Sequence, residues 1–153
     1  MKKVIFGLFV FSLLFASSCK KSNSTPNSWT FKGNQYGASL ATFAIPGDFS
    51  ATCSSTNQTI NGGFIDINFG SGANPTTGGN YSVVSNAYTT NQVSIQLTTG
   101  NSTGSTTYNS TGSNNSQLAV SISGGKVSVT GSGIMLTNGT DSATVSINIT
   151  QTQ

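Results

Sequence analysis

The sequence predicts an all-β protein, an antiparallel β-sandwich of about nine or ten short strands. From Trp29 onward, apolar and polar residues alternate in short runs that are rich in β-branched and aromatic residues. Glycine and asparagine separate these runs, which is typical of tight turns. No stretch after Trp29 has the apolar spacing of an amphipathic helix. A closed up-and-down barrel of the lipocalin type is the alternative that the same pattern allows.

The predicted strands are defined by apolar residues at every second position, which face one side of a strand. These residues are Trp29 and Phe31; Ile65, Ile67 and Phe69; Tyr81 and Val83; Val93, Ile95 and Leu97; Leu118, Val120 and Ile122; Val127 and Val129; and Ala143, Val145, Ile147 and Ile149.

Two turns between these runs allow the strand pairing to be predicted. A two-residue turn at the Gly-Gly pair sets Ile122 opposite Val127 and keeps the apolar residues of both strands on one face. The same rule at the Asn-Gly pair, 138–139, sets Ile134 opposite Ala143.

The start of the chain has the order of a lipoprotein signal. Two lysines precede an apolar run, 4–15, which has the length of a signal-peptide core and is shorter than the about 20 residues that span a bilayer. Small residues lead to Cys19. This order resembles the lipobox of bacterial lipoproteins, with Ala16 where leucine is usual, a position that varies in the Bacteroidota. The resemblance implies a diacylglycerol on Cys19; the alternative is an ordinary signal peptide that leaves a free thiol.

The chain therefore divides into a lipoprotein signal peptide, 1–18, a lipidated cysteine with a flexible tether, 19–28, and a single all-β domain, 29–153. The stretch WTFKG at the start of that domain and the run 75–84 are similar to small Bacteroidota lipoproteins of an uncharacterised all-β family. The similarity implies attachment to the outer membrane of the cell envelope through the N-terminal lipid. It leaves the leaflet undecided, and the sequence does not predict an oligomeric state.

The charged residues exclude several classes of function. The chain has six lysines, three aspartates and no histidine, arginine or glutamate. In the domain 29–153, two lysines and three aspartates give 2 − 3 = −1, so no basic face is present for nucleic acid. Without histidine or glutamate, the common nucleophile systems and histidine-based zinc sites cannot be built. We predict that the protein is not an enzyme and has no catalytic residue, metal site or cofactor.

Two other residue types could still carry chemistry, and the sequence favours a structural role for both. Asp48 and Asp141 follow turn residues, so their carboxylates are expected to bond local backbone. Asp66 is expected on the wetter face of its strand, and no Asp-x-Asp spacing indicates a calcium site. Cys53 alternates with apolar residues and has no cation nearby, so we expect a buried, inert thiol.

Binding is the function that the composition favours. Tyr36, Tyr88 and Tyr108 lie among asparagine, glutamine, serine and threonine, a mixture used by surfaces that stack on sugars, and we expect these tyrosines to be exposed. The partner would be a glycan or an envelope macromolecule, in a binding or structural role. The low-complexity segment 99–116 is either a recognition loop or a surface excursion. A lipocalin-like carrier of a small hydrophobic ligand is the alternative.

One modification is implied by resemblance. The tripeptide Asp-Ser-Ala that contains Ser142 resembles the three-residue O-glycosylation motif of the Bacteroidota. The resemblance implies a glycan on Ser142.

Overall fold

The structure, a computed structural model, describes residues 27–53, 62–101 and 103–153. Eleven strands are found in this part of the chain, and it contains no helix long and apolar enough to cross a membrane. The prediction of an all-β protein is confirmed, with slightly more strands than expected. The predicted signal segment, Cys19 and the tether as far as residue 26 lie outside the described residues.

The strands are β1 (Ser28–Phe31), β2 (Asn34–Gly37), β3 (Leu40–Ile45), β4 (Asp48–Cys53), β5 (Gly63–Phe69), β6 (Gly79–Val83), β7 (Gln92–Asn101), β8 (Gly104–Ser110), β9 (Gln117–Ser123), β10 (Lys126–Thr137) and β11 (Ser142–Thr150).

The strands form one continuous path in the order β2-β1-β11-β10-β9-β6-β7-β5-β4-β3. β8 lies off this path and pairs with both β7 and β10. The pairings β6–β7, β7–β8, β8–β10, β10–β9 and β9–β6 therefore close a ring of five strands. β5, β4 and β3 extend the ring from β7, and β11, β1 and β2 extend it from β10. This arrangement is compatible with the predicted sandwich and with the barrel alternative.

One junction departs from the predicted antiparallel pairing. β6 and β7 run parallel, with Ser82 opposite Gln92 and Val83 opposite Val93. All other strand pairs among the described residues are antiparallel. The loop 84–91 carries the chain back so that β7 starts beside the end of β6. Alternation within a strand does not show in which direction the next strand runs beside it. The prediction of purely antiparallel pairing is therefore wrong for β6 and β7.

The strands of the ring contribute many buried side chains to one common hydrophobic core. They are Val83, Val93, Ile95, Leu97, Tyr108, Leu118, Val120, Val127, Val129, Ile134 and Leu136, all buried. The extending strands add aromatic residues, and Phe43 lies 5.0 Å from Phe49 between ring centres. Burial of each large apolar side chain contributes about 1.5–3 kcal/mol, so this core is the main source of stability.

The two predicted turns have different outcomes. The Gly-Gly turn pairs Ile122 with Val127, as predicted. The Asn-Gly turn is longer than predicted, because Thr137 pairs with Ser142 and Leu136, rather than Ile134, lies opposite Ala143. The side chain of Asn138 causes the difference, since its Oδ1 accepts hydrogen bonds from the backbone N–H groups of residues 140 and 141 at 3.0 and 2.8 Å. The shift of two residues keeps the apolar side chains on the core face.

Candidate functional site

β3, β4, β5, β7 and β8 form a continuous five-strand face. Residues at alternate positions on these strands point away from the core, and most of them are polar. One row of such residues crosses all five strands, with Thr42, Ser50, Asp66, Gln96 and Asn109 opposite one another in turn. The polar platform is this row together with the adjacent pair Asp48 and Asn68.

Two carboxylates meet on the polar platform. Asp48 lies opposite Asn68, and Ser50 lies opposite Asp66, so the two aspartates are diagonal neighbours on β4 and β5. The Ser50 hydroxyl lies 3.1 Å from Oδ1 of Asp66 and 3.4 Å from Oδ1 of Asp48, within hydrogen-bond distance of both. Asn68 donates from Nδ2 to Oδ2 of Asp66 at 3.2 Å. The expectation that the Asp48 carboxylate bonds local backbone is therefore wrong.

Burial raises the pKa of Asp66 to about 7, and Asp48 adds to the shift through a hydrogen bond and the repulsion of its charge. The hydrogen bonds from Ser50 and Asn68 act in the opposite direction. Near neutral pH, Asp66 is therefore protonated for part of the time. The sequence gives no sign of such a group, because the proximity of Asp66 to Asp48 depends on the pairing of β4 with β5.

The surroundings of this pair are uncharged. Apart from Asp48 and Asp66, the strands of the five-strand face contain no ionisable acid or base other than Cys53 and Tyr108. On the neighbouring strand, Gln96 donates from Nε2 to Oδ1 of Asn109 at 3.1 Å, which orients both amides along the row. The platform is thus an array of hydrogen-bond donors and acceptors that has no cation to bind an anionic ligand.

The loop 84–91 carries Tyr88 and lies beside the end of β5, one of the strands of this face. Gly70 directly follows β5, and a methyl group there would lie 2.4 Å from the carbonyl oxygen of Thr89 and 2.9 Å from the amide nitrogen of Tyr88. The Tyr88 N–H donates to the side chain of Gln92 at 3.2 Å. The backbone of the loop is therefore held against the face, while the Tyr88 side chain is 79% exposed.

Tyr36 is buried, and the expectation that it is exposed is wrong. It is 4% exposed and stacks on Trp29 with a centre-to-centre distance of 5.4 Å and nearly parallel rings. Gly63 at the start of β5 leaves room for this stack, since a methyl group there would lie 2.8 Å from the Tyr36 ring. The two rings belong to the core between β1, β2 and β5.

Tyr108 is also buried, at 5% exposure, and the expectation of an exposed ring is wrong for it as well. Its ring packs edge-on against Phe31 at 4.9 Å, and its hydroxyl accepts from Nζ of Lys32 at 2.7 Å and donates to Asp141 at 3.2 Å. Lys32 and Asp141 form an ion pair that raises the pKa of the lysine and lowers that of the aspartate. The pair is partly exposed, so it contributes little stability and mainly ties the two turns to β8.

Two further predicted residues have clear positions. Cys53 is half-buried and packs against the core, so the expectation of a fully buried thiol is wrong in degree. Burial raises the pKa of its thiol, which disfavours the reactive thiolate. Ser142 is exposed at the start of β11, where its hydroxyl donates to Oγ1 of Thr137 at 3.0 Å.

Comparison with known proteins gives no match for this chain among protein-family models, curated proteins or solved structures.

Proposed function

We propose that this chain is a non-enzymatic lipoprotein of the bacterial cell envelope, anchored to the outer membrane through Cys19, whose polar platform binds a neutral glycan. One observation carries the proposal. A row of five hydrogen-bonding side chains crosses a continuous sheet surface, and the loop that carries the exposed Tyr88 lies beside the end of β5.

The dimensions and chemistry of the platform suit a glycan. Strands lie about 4.8 Å apart, so the row is roughly 19 Å long and could contact several sugar rings. Hydroxyl, amide and carboxyl groups can each bond sugar hydroxyls, and an exposed tyrosine offers a ring face for stacking. Because the described strands of this face carry no cation beside Asp48 and Asp66, a glycan that carries carboxylates or sulfates would be repelled. A neutral glycan is therefore the ligand class that the charges favour.

The same carboxylates support a binding role over catalysis. Glycoside hydrolases need two carboxyl groups about 5 to 9.5 Å apart, with room for a sugar or a water between them. Here Asp48 and Asp66 are close enough to share a hydrogen bond. Turnover of a glycan that is abolished by Asp66→Asn would contradict the non-enzymatic proposal.

The carrier alternative receives less support. A carrier needs an unfilled interior that can accept a ligand. The apolar side chains of the ring strands belong to one buried core, in which Val93, Leu118 and Val129 are 0% exposed. The proposal therefore places the ligand on the outside of the sheet.

The anchor is tested separately from the binding site. We expect mass spectrometry of the native protein to show an acylated peptide that begins at Cys19. Cys19→Ala should leave the chain uncleaved or release it from lipid attachment. A processed, membrane-bound Cys19→Ala protein would contradict the anchor while leaving the platform untouched.

Tyr88→Ala should weaken glycan binding about tenfold or more, equivalent to about 1.4 kcal/mol, because the ring would be lost from the edge of the platform. The measurement is a glycan array followed by titration calorimetry with the best neutral ligand. Tyr88→Phe is the matched control, since it keeps the ring and should retain most of the affinity. Equal affinity of wild type and Tyr88→Ala for that ligand would exclude Tyr88 from the site.

Gly70→Ala tests the position of the loop without removing a ligand contact. The added methyl group would collide with the backbone of Thr89 and displace the loop. We expect a loss of affinity similar to that of Tyr88→Ala, measured by the same titration. Gly79→Ala is the control, because a methyl group there meets no atom within 4 Å. Unchanged affinity in Gly70→Ala would show that the loop position does not matter for binding.

A further inference from the structure

β3 stands at one end of the strand path, so no further strand pairs with its outer edge among the described residues. Its sequence, Leu40 to Ile45, contains no charge and no proline. Leu40 is 37% exposed and Ile45 is 60% exposed, which makes them two of the three exposed large hydrophobic residues in the described part of the chain. An apolar edge strand without charges is a template for pairing with another strand.

Thr152 forms hydrogen bonds with the outer edge of β3. The Thr152 N–H donates to the carbonyl oxygen of Ala41 at 2.8 Å. Its side chain accepts from the Ala41 N–H at 3.0 Å and donates to the Ala41 carbonyl oxygen at 3.0 Å. The preceding residue, Gln151, is bonded to a different strand, since its N–H donates to the carbonyl oxygen of Val127 in β10 at 2.8 Å. Thr152 therefore acts as a strap between β10 and the edge of β3.

The strap covers only one position of the edge. In a strand, the N–H and C=O groups of residues two apart point in the same lateral direction. Phe43 therefore directs its backbone groups the same way as Ala41, and Thr152 does not reach it. The β-bulge at Ala44 ends the regular pairing of β3 with β4 just beyond this point.

We propose that the outer edge of β3 pairs with β3 of a second copy of this chain, and that Thr152 competes with this pairing. Two antiparallel copies of an uncharged strand can meet around Phe43 without placing like charges opposite each other. Leu40 and Ile45 of each copy then come under the cover of the other copy, which buries apolar surface that the single chain exposes. Release of Thr152 adds Ala41 to the paired region.

The test uses the full-length chain in its own membrane, with Cys53→Ala to remove the half-buried thiol. Ala44→Cys places a thiol on the edge of β3, and Thr30→Cys on the exposed face of β1 is the matched control. With a short bis-maleimide, we expect the yield of covalent dimer to be at least fivefold higher for Ala44→Cys than for Thr30→Cys. Addition of Ile45→Lys should abolish that dimer, because lysine on an edge strand blocks pairing.

Thr152→Ala tests the competition, because it removes both side-chain bonds to Ala41 while keeping the backbone bond. We expect the dimer yield of Ala44→Cys to rise severalfold in this variant. Equal cross-linking of Ala44→Cys and Thr30→Cys would overturn the pairing. An unchanged yield in Thr152→Ala would overturn the role of the strap. Neither result depends on glycan binding, so the two proposals can fail independently.

Discussion

Ser110→Ala is expected to destabilise the protein by about 1–3 kcal/mol, a large effect for the loss of one hydroxyl group. Ser110 lies at the end of β8 and is 2% exposed. Its hydroxyl donates to the carbonyl oxygen of Val84 at 2.5 Å and accepts from the N–H of Ile95 at 3.0 Å. Alanine would leave the buried N–H of Ile95 unpaired, which costs about 1–3 kcal/mol, and would remove the bond to the part-buried carbonyl oxygen of Val84.

The position of Ser110 explains why one hydroxyl matters so much. Ser110 also pairs with Leu136 of β10, so it sits where β8 closes the ring of five strands. Its side chain links the loop after β6 to β7 at the same place. Denaturant unfolding of wild type and Ser110→Ala measures the loss as a shift in the transition midpoint. Ser105→Ala, an exposed serine on the same strand, should change the stability by less than about 0.5 kcal/mol. A similarly small loss of stability in Ser110→Ala would contradict the conclusion that the Ser110 hydroxyl stabilises the closure of the ring.

The elements that could be predicted from the sequence are those with local signals. Period-two alternation places a strand and its buried face, as it does for the apolar residues of β5, β9 and β11. The Gly-Gly turn after Ser123 leaves one register that keeps the apolar side chains together, and that register is correct. At Asn138 the side chain stabilises a longer turn. The two possible registers of β10 and β11 differ by two residues and leave the same side chains buried, so an alternation pattern cannot distinguish them.

The candidate site could not be predicted for the same physical reason. Asp48 and Asp66 become neighbours only through the pairing of β4 with β5, and the residues between those strands do not fix a register by alternation. Tyr36 and Tyr108 have polar sequence neighbours like those of Tyr88, yet their rings are buried. A tyrosine ring is apolar and its hydroxyl can be satisfied by a partner distant in sequence, as Lys32 does for Tyr108. Exposure of a tyrosine is thus a tertiary property.

Asp66→Asn should make the protein more stable than wild type at pH 8, and the difference should be smaller at pH 5. The pKa of Asp66 is about 7 in the folded chain, whereas the ordinary value for an aspartate is 3.8. Between these values the folded state binds more protons than the unfolded state, so wild-type stability falls as the pH rises from about 4 to 7. The shift corresponds to about 4 kcal/mol, which solvent screening of this half-exposed group reduces to about 1–2 kcal/mol.

Asparagine reproduces the protonated form of Asp66, because it is neutral and its amide can donate a hydrogen bond to Asp48. Urea unfolding at pH 5 and pH 8 should therefore give a falling free energy of unfolding for wild type and a nearly constant one for Asp66→Asn. Asp48→Asn should also flatten the profile, since Asp48 supplies part of the shift in the pKa of Asp66. Asp141→Asn is the contrasting control. Its ion pair with Lys32 lowers the pKa of Asp141, so its loss should not stabilise the protein at pH 8. A wild-type protein as stable at pH 8 as at pH 5 would show that the pKa of Asp66 is not raised on the platform.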